Sequence, residues 1–180
     1  MSEPIIKLEN VSKVFKLGLL GKTVIKAVDR VNMEIRKGEI LGILGESGSG
    51  KSTIAKMILK IYTPTSGKIL YRGKDISEFK GVKGLKEYYR HVQGVFQDPY
   101  ASFNPRRRVL DVLRDVMKNY YPTLPPEDID REISTTIEKV GLNMSEVVGR
   151  YPHEFSGGQL QRLSIARALL VRPEVIVADE

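Results

Sequence analysis

The chain contains no cysteine, which excludes disulfides, thiolate metal sites and a cysteine nucleophile. That usage suits a reducing cytosol. Histidine is nearly absent too, with His91 and His153 the only two. No apolar run approaches the roughly 20 residues of a membrane-spanning helix, and the opening MSEPIIKLEN has no apolar signal core. A role at a membrane is therefore expected to run through a partner. No internal repeat or low-complexity tract interrupts the 180 residues, a one-domain length. Charge is plentiful: 29 Lys and Arg against 22 Asp and Glu give a net +7. A basic balance favours polyanions such as nucleotides, nucleic acids or anionic lipid surfaces. The one sharp cluster, Arg106, Arg107 and Arg108, reads as a solvated face, and no DNA- or RNA-binding motif accompanies it, so no nucleic-acid partner is expected.

The first third has β character. IIKLENVSKVF and VNMEIRKGEI alternate, with Val31, Met33 and Ile35 set against Asn32, Glu34 and Arg36. LGLLGKTVIK between them reads as a loop or hairpin tip punctuated by Gly18 and Gly21. ILGIL, after a Lys37-Gly38 turn, is a short continuous apolar run expected to be a buried parallel strand. The period then changes: Ile54, Ile58 and Ile61 mark one face of a helix ending before Pro64. KILYRGKDI predicts a short hairpin and HVQGVF a second strand stopping at Gln97. Helical spacing returns in Val109, Leu113 and Val116, and again in Ile129, Ile133, Ile137 and Val140, with Gly141 placed as a C-cap. A last helix is expected from about Ser156 to Leu170, before a terminal strand, VIVADE, buried on both faces.

Three motifs carry chemistry. GESGSGKS, Gly45 to Ser52, is a complete G-x-x-x-x-G-K-[ST] phosphate loop between strand ILGIL and helix STIAKMILKIY. Its glycines let successive backbone N–H groups converge on phosphate oxygens, and the helix N-terminus adds partial positive charge. Lys51 would reach the β- and γ-phosphates, and the Ser52 hydroxyl would ligate magnesium. In VIVADE, two carboxylates follow a strand. Alone they could simply cap a following helix. Paired with a phosphate loop, Asp179 becomes a magnesium-holding group and Glu180 a residue that orients the attacking water. FSGGQLQR, Phe155 to Arg162, opens the last helix: Ser156 can cap it, while Gly157 and Gly158 leave backbone N–H groups bare for an anion. For SGG alone, a well-capped helix start would be sufficient explanation.

The order phosphate loop, Gln97 after a strand, SGGQ, then an apolar strand with Asp-Glu resembles the nucleotide-binding domain of ABC transporters across essentially the whole chain. VFQDPYASFNPR (Val95 to Arg106) and RYPHEFSGGQ (Arg150 to Gln159) are similar to the ATPase subunits of dipeptide, oligopeptide and nickel importers. The resemblance implies an α/β P-loop NTPase with a RecA-like parallel core sheet, an N-terminal antiparallel β subdomain and a helical subdomain. The expected division is residues 1–97, 98–155 and 156–180. It also implies ATP and Mg2+ as cofactors, with Gly45, Glu46, Ser47, Gly48, Ser49, Gly50, Lys51, Ser52 and Thr53 on the nucleotide. Phe15 occupies the place of an adenine-stacking aromatic, although an ordinary core ring reads equally well there. Gln97 would contact magnesium and share catalysis with Lys51 and Glu180; Ser52 and Asp179 would complete the metal's ligands. Ser156, Gly157, Gly158 and Gln159 would form the signature that binds ATP held by a second, head-to-tail ATP-binding subunit. Transmembrane permease subunits, an extracytoplasmic solute-binding protein acting indirectly and a peripheral place on the cytoplasmic membrane face follow from the same resemblance. Phe155 departs from the Leu commoner before SGGQ, and Leu160 from a basic or polar residue. His91 and His153 both precede the Asp-Glu strand, so neither is the family's switch histidine.

Family members continue past this strand, and a later strand lies between the two that carry the phosphate loop and the Asp-Glu pair. The chain is accordingly expected to end before its own sheet is complete, to be marginally folded and to hydrolyse ATP poorly. Other readings are a non-transport ATPase of the same group in DNA repair or chromosome maintenance, a small-molecule kinase, and a nucleotide-binding fragment without turnover. The first usually carries zinc modules or coiled coils, which have no cysteine or heptad support here. The second leaves SGGQ unexplained.

Overall fold

The computed structural model describes residues 3–17 and 23–179. The chain forms two compact units, one running to Tyr89 and the other beginning at Arg90.

In the first unit, β1 (Ile6–Leu17), β2 (Thr23–Ile35), β3 (Ser66–Tyr71) and β4 (Lys74–Asp75) form an antiparallel sheet in the order β2-β1-β3-β4. Ile6 lies opposite Ile35 on one side and Tyr71 on the other. The alternation seen in the sequence becomes two faces. Ile6, Leu8, Val11 and Ile69 are buried, whereas Lys7 pairs with Glu9 at 3.0 Å and Glu34 at 3.7 Å. Val31, Met33 and Ile35 are half-buried against exposed Asn32 and Glu34, as their period requires. Leu17 pairs with Thr23, so β1 and β2 make the expected hairpin; Gly18 and Gly21 of its tip lie outside the described residues. The expected β3–β4 hairpin turns on Arg72 (φ 48°) and Gly73 (φ 76°), the doubly left-handed turn that matches strand twist.

Two expectations fail in this unit. ILGIL is not a strand: residues 39–46 have no regular structure, and Ile40 is 99% and Leu44 96% exposed. A parallel strand exists only through ladder hydrogen bonds to neighbours, and no described strand pairs with this segment. The helix after the loop is also shorter than its isoleucine spacing suggests. α1 (Lys51–Ile58) buries Ile54, Met57 and Ile58 but not Ile61, which is half exposed. Lys60 ends it in the left-handed region (φ 55°), with its N–H on the Met57 carbonyl (3.0 Å) and the Ile61 N–H on Lys56 (2.8 Å), a Schellman closure. The Lys60 ammonium donates to the carbonyls of Ile76 and Phe79, and burial lowers its pKa. α2 (Gly81–His91) is absent from the sequence expectations. It buries Tyr88, with Gly84 half-buried on the same face, rather than the more obvious Val82, which is 85% exposed. Gly84 lets the helix approach Phe79 closely; a Cβ there would lie 2.8 Å from the Phe79 carbonyl carbon.

In the second unit β5 (Val92–Phe96) and β6 (Val175–Asp179) pair in parallel, from Val92 with Val175 to Phe96 with Asp179. Between them run α3 (Val109–Tyr120), α4 (Pro126–Lys139), α5 (Met144–Val147) and α6 (Gly157–Leu170). Leu110, Leu113, Ile133, Ile137, Leu160 and Leu163 anchor their shared core. α4 starts with proline at its first position and two acids in its first turn, both favourable at a helix N-terminus. It ends at Gly141 (φ 74°), whose N–H reaches Glu138 (2.9 Å) while Leu142 reaches Ile137 (3.2 Å), the predicted cap. β6 is not buried on both faces. Val175 is buried, but Ile176 is 44% exposed and Ala178 is exposed; among the described residues β5 is its one ladder neighbour.

Candidate nucleotide-binding site

The phosphate loop folds around its own lysine. After Gly45 the chain turns with the Ser49 N–H on the Glu46 carbonyl (3.2 Å). Gly48 (φ 81°) and Gly50 (φ 94°) adopt the left-handed backbone that glycine takes without strain. Gly50 is doubly required, since a Cβ would sit 2.2 Å from the Ala27 carbonyl oxygen. The Lys51 ammonium donates to the carbonyls of Gly45 and Glu46, both at 2.7 Å, with Ser49 Oγ at 3.4 Å. A cation is thereby held against the loop backbone. Gly50 at the N-cap brings no side chain to cap α1, which suits a helix start that receives an anion. Residues 45–49 and Ser52 are exposed, and Thr53 is half-buried. The donor set, the cation and the glycine cradle fit a phosphate chain.

Phe15, on β1, is half-buried and meets Tyr62 edge-on, with ring centroids 5.3 Å apart and planes at 76°. The Lys13 ammonium stands 5.1 Å from the Phe15 ring centre and donates to the Thr63 carbonyl (2.6 Å). Phe15 is therefore neither a fully packed core ring nor a fully open one. Tyr62 and Lys13, its immediate company, carried no motif and could be found only from the structure.

In the second unit, strand register brings two predicted residues together. Gln97 follows Phe96, and Phe96 pairs with Asp179, so the amide and the carboxylate share the C-terminal edge of the parallel pair. That is the edge where α/β sheets place ligands. Glu180 lies outside the described residues. The SGGQ segment opens α6 as expected, with one addition. Ser156 Oγ accepts the Gln159 N–H (3.2 Å), and Gln159 Oε1 accepts the Ser156 N–H (3.1 Å), a reciprocal capping box. Gly157 and Gly158 are exposed, with nothing within 4 Å of where a Cβ would stand. Arg107 pairs with Asp115 and Arg108 lies over the Tyr151 ring. His153 stacks on Tyr151 at 5.8 Å. Among the described residues no cluster of acidic or histidine side chains could hold a metal by itself.

The antiparallel sheet, the parallel pair, the helical segment and the glycine loop closing on its lysine define a P-loop NTPase domain. The chain belongs to the ABC transporter family, whose pattern matches residues 28–180. It is 44% identical over 182 residues to the oligopeptide transport ATP-binding protein AppF of Bacillus subtilis, covering 99% of this chain and 55% of that protein. To the dipeptide transport ATP-binding protein DppF of Lactococcus lactis it is 43% identical, covering 100% and 58%. The chain thus spans about half the length of the curated relatives it matches. Among solved structures, the ATP-binding cassette MJ0796, a dimer bound to ADP and Pi, superposes with a TM-score of 0.86 at 30% identity, over 97% of this chain and 73% of that one. CbiO1 of Clostridium perfringens, part of an ABC transporter complex, gives 0.79 at 28% identity over 99% and 66%.

Proposed function

We propose that the chain is the ATP-binding and ATP-hydrolysing part of an ABC importer for oligopeptides, dipeptides or a related small solute. The observation that carries this reading is 44% identity along nearly the whole chain to a protein named as an oligopeptide transport ATP-binding protein. In this reading the Gly45–Ser52 amides and the Lys51 ammonium bind the phosphates and offset charge developing on the transferred phosphoryl group. Phe15 offers a ring to adenine. Ser52, Gln97 and Asp179 hold Mg2+, which neutralises phosphate charge when bound. Glu180 orients and polarises the attacking water. Ser156 to Gln159 bind ATP presented by a second ATP-binding subunit arranged head to tail. Permease subunits carry the solute, a solute-binding protein delivers it, and this subunit is peripheral to the cytoplasmic face of the membrane. No described helix is long and apolar enough to cross a membrane, which fits a division of labour with permeases.

The test is peptide uptake into vesicles bearing the assembled complex. ATP should drive uptake, and Lys51→Ala should lower turnover by roughly 10²-fold or more, in line with loss of a transition-state charge partner. Uptake unaffected by Lys51→Ala, or ATPase activity stimulated by DNA in place of peptide, would refute the assignment.

A further inference from the structure

The segment after Gln97 is tied to the signature at several points, none of which the sequence motifs assign. Asp98 Oδ1 accepts the N–H groups of Tyr100 (2.9 Å) and Ala101 (3.3 Å), folding residues 98–102 into a compact turn. At its start, Gln161 of α6 donates to the Phe96 carbonyl (3.3 Å). At its end, Arg167 of α6 donates to the Ser102 carbonyl and lies over the Phe103 ring, 5.1 Å from its centre. In the middle, the Tyr100 hydroxyl donates to the carbonyl of Phe155 (3.2 Å), the residue immediately before Ser156.

That last bond acts on one peptide plane. The Phe155 carbonyl and the Ser156 N–H belong to the same rigid unit. Tyr100 holds its oxygen, and Gln159 Oε1 holds its hydrogen (3.1 Å). The plane's rotation sets where the Ser156 side chain and the first α6 amides point. Phe155 itself cannot drift: its ring is 4% exposed and the Arg150 guanidinium covers it at 4.3 Å. With Gln161 and Arg167 gripping either end, displacement of Gln97 is passed to a bond whose far side carries the signature serine.

We propose that Tyr100 is a positioning residue that couples the Gln97 segment to the signature, so that a nucleotide contacted at Gln97 adjusts how Ser156–Gln159 receives a second one. This rests on the function proposed above. Tyr100 is 48% exposed, so Tyr100→Phe removes the hydroxyl without opening the core. The experiment compares this variant with wild type in the assembled ATPase complex. Two quantities are read: amide hydrogen exchange at Ser156–Gln159 with and without ATP, and the Hill coefficient of hydrolysis. The expected result is at least tenfold faster exchange at Ser156 without nucleotide, loss of ATP-dependent protection, and a Hill coefficient falling toward 1. Affinity for a fluorescent ATP analogue at the phosphate loop should stay within twofold. Exchange and cooperativity unchanged in Tyr100→Phe, against a wild type that ATP protects, would overturn the coupling alone. A wild type that binds ATP yet gains no protection at Ser156–Gln159 would overturn the two-subunit reading, and the coupling with it.

Discussion

Tyr88 shows how one side chain can bind a unit together and also limit its pH range. Its ring meets Tyr71 at 6.0 Å and Phe79 at 5.4 Å, and its hydroxyl donates to the Ile58 carbonyl at 2.6 Å. Burial is the first cause that raises its pKa above the ordinary tyrosine value, with Tyr89 and Tyr71 adding to it. A phenol whose folded pKa exceeds its unfolded value of about 10 keeps its stabilising contribution in full below pH 10. That contribution is lost as pH rises beyond it, because the unfolded chain then releases the proton more readily. Tyr88→Phe should therefore lose about 0.5–1.5 kcal/mol at neutral pH, the net worth of the hydrogen bond, while flattening the alkaline fall in stability. Urea unfolding between pH 7 and 11 reads both effects. Nothing in the sequence singled out Tyr88, since its value lies in a distant backbone carbonyl and two rings from other elements.

Among the elements, legibility followed the source of stability. α4 was readable along its length and at its end because its isoleucine spacing and its glycine cap are local signals, whereas its start at Pro126 was not among the expectations. Ile133 on α4 is fully buried, and Ile133→Ala should destabilise by about 2–5 kcal/mol through lost transfer energy and a residual cavity. Val148→Ala, at a position 54% exposed, should stay within about 0.5 kcal/mol; chemical denaturation compares the two. The β3–β4 hairpin was equally legible from its Arg72-Gly73 turn. α2 was not, because its packing depends on the missing side chain of Gly84, and an apolar count sees Val82 instead. ILGIL failed for the opposite reason. Its composition is right for a buried strand, but strand formation is a property of pairs, and composition says nothing about whether a neighbour is present.

For the whole molecule, the exposed Ile40 and Leu44, with Leu41 and Ile43 each 41% exposed between them, make a contiguous apolar stretch. Such stretches draw other apolar surfaces. Replacing Ile40 and Leu44 by lysine should lower the fluorescence of a bound hydrophobic dye by about half and reduce self-association in light scattering, with little change in melting temperature. The site was legible in halves. The glycine loop and SGGQ carry their geometry in adjacent residues, so the sequence sufficed. The neighbourhood of Phe15 and the tether at Tyr100 join residues far apart in the chain and became visible only once folded.

The parallel pairing of β5 with β6 has one more implication. Side chains along a strand change sides with every residue, and Phe96 stands opposite Asp179. Removing or adding one residue within Val92–Phe96 would carry Gln97 to the wrong side while leaving every functional group chemically intact. The quantity this strand must preserve is thus its length: drift in which apolar residue sits where is tolerable, and a slip in the count is not.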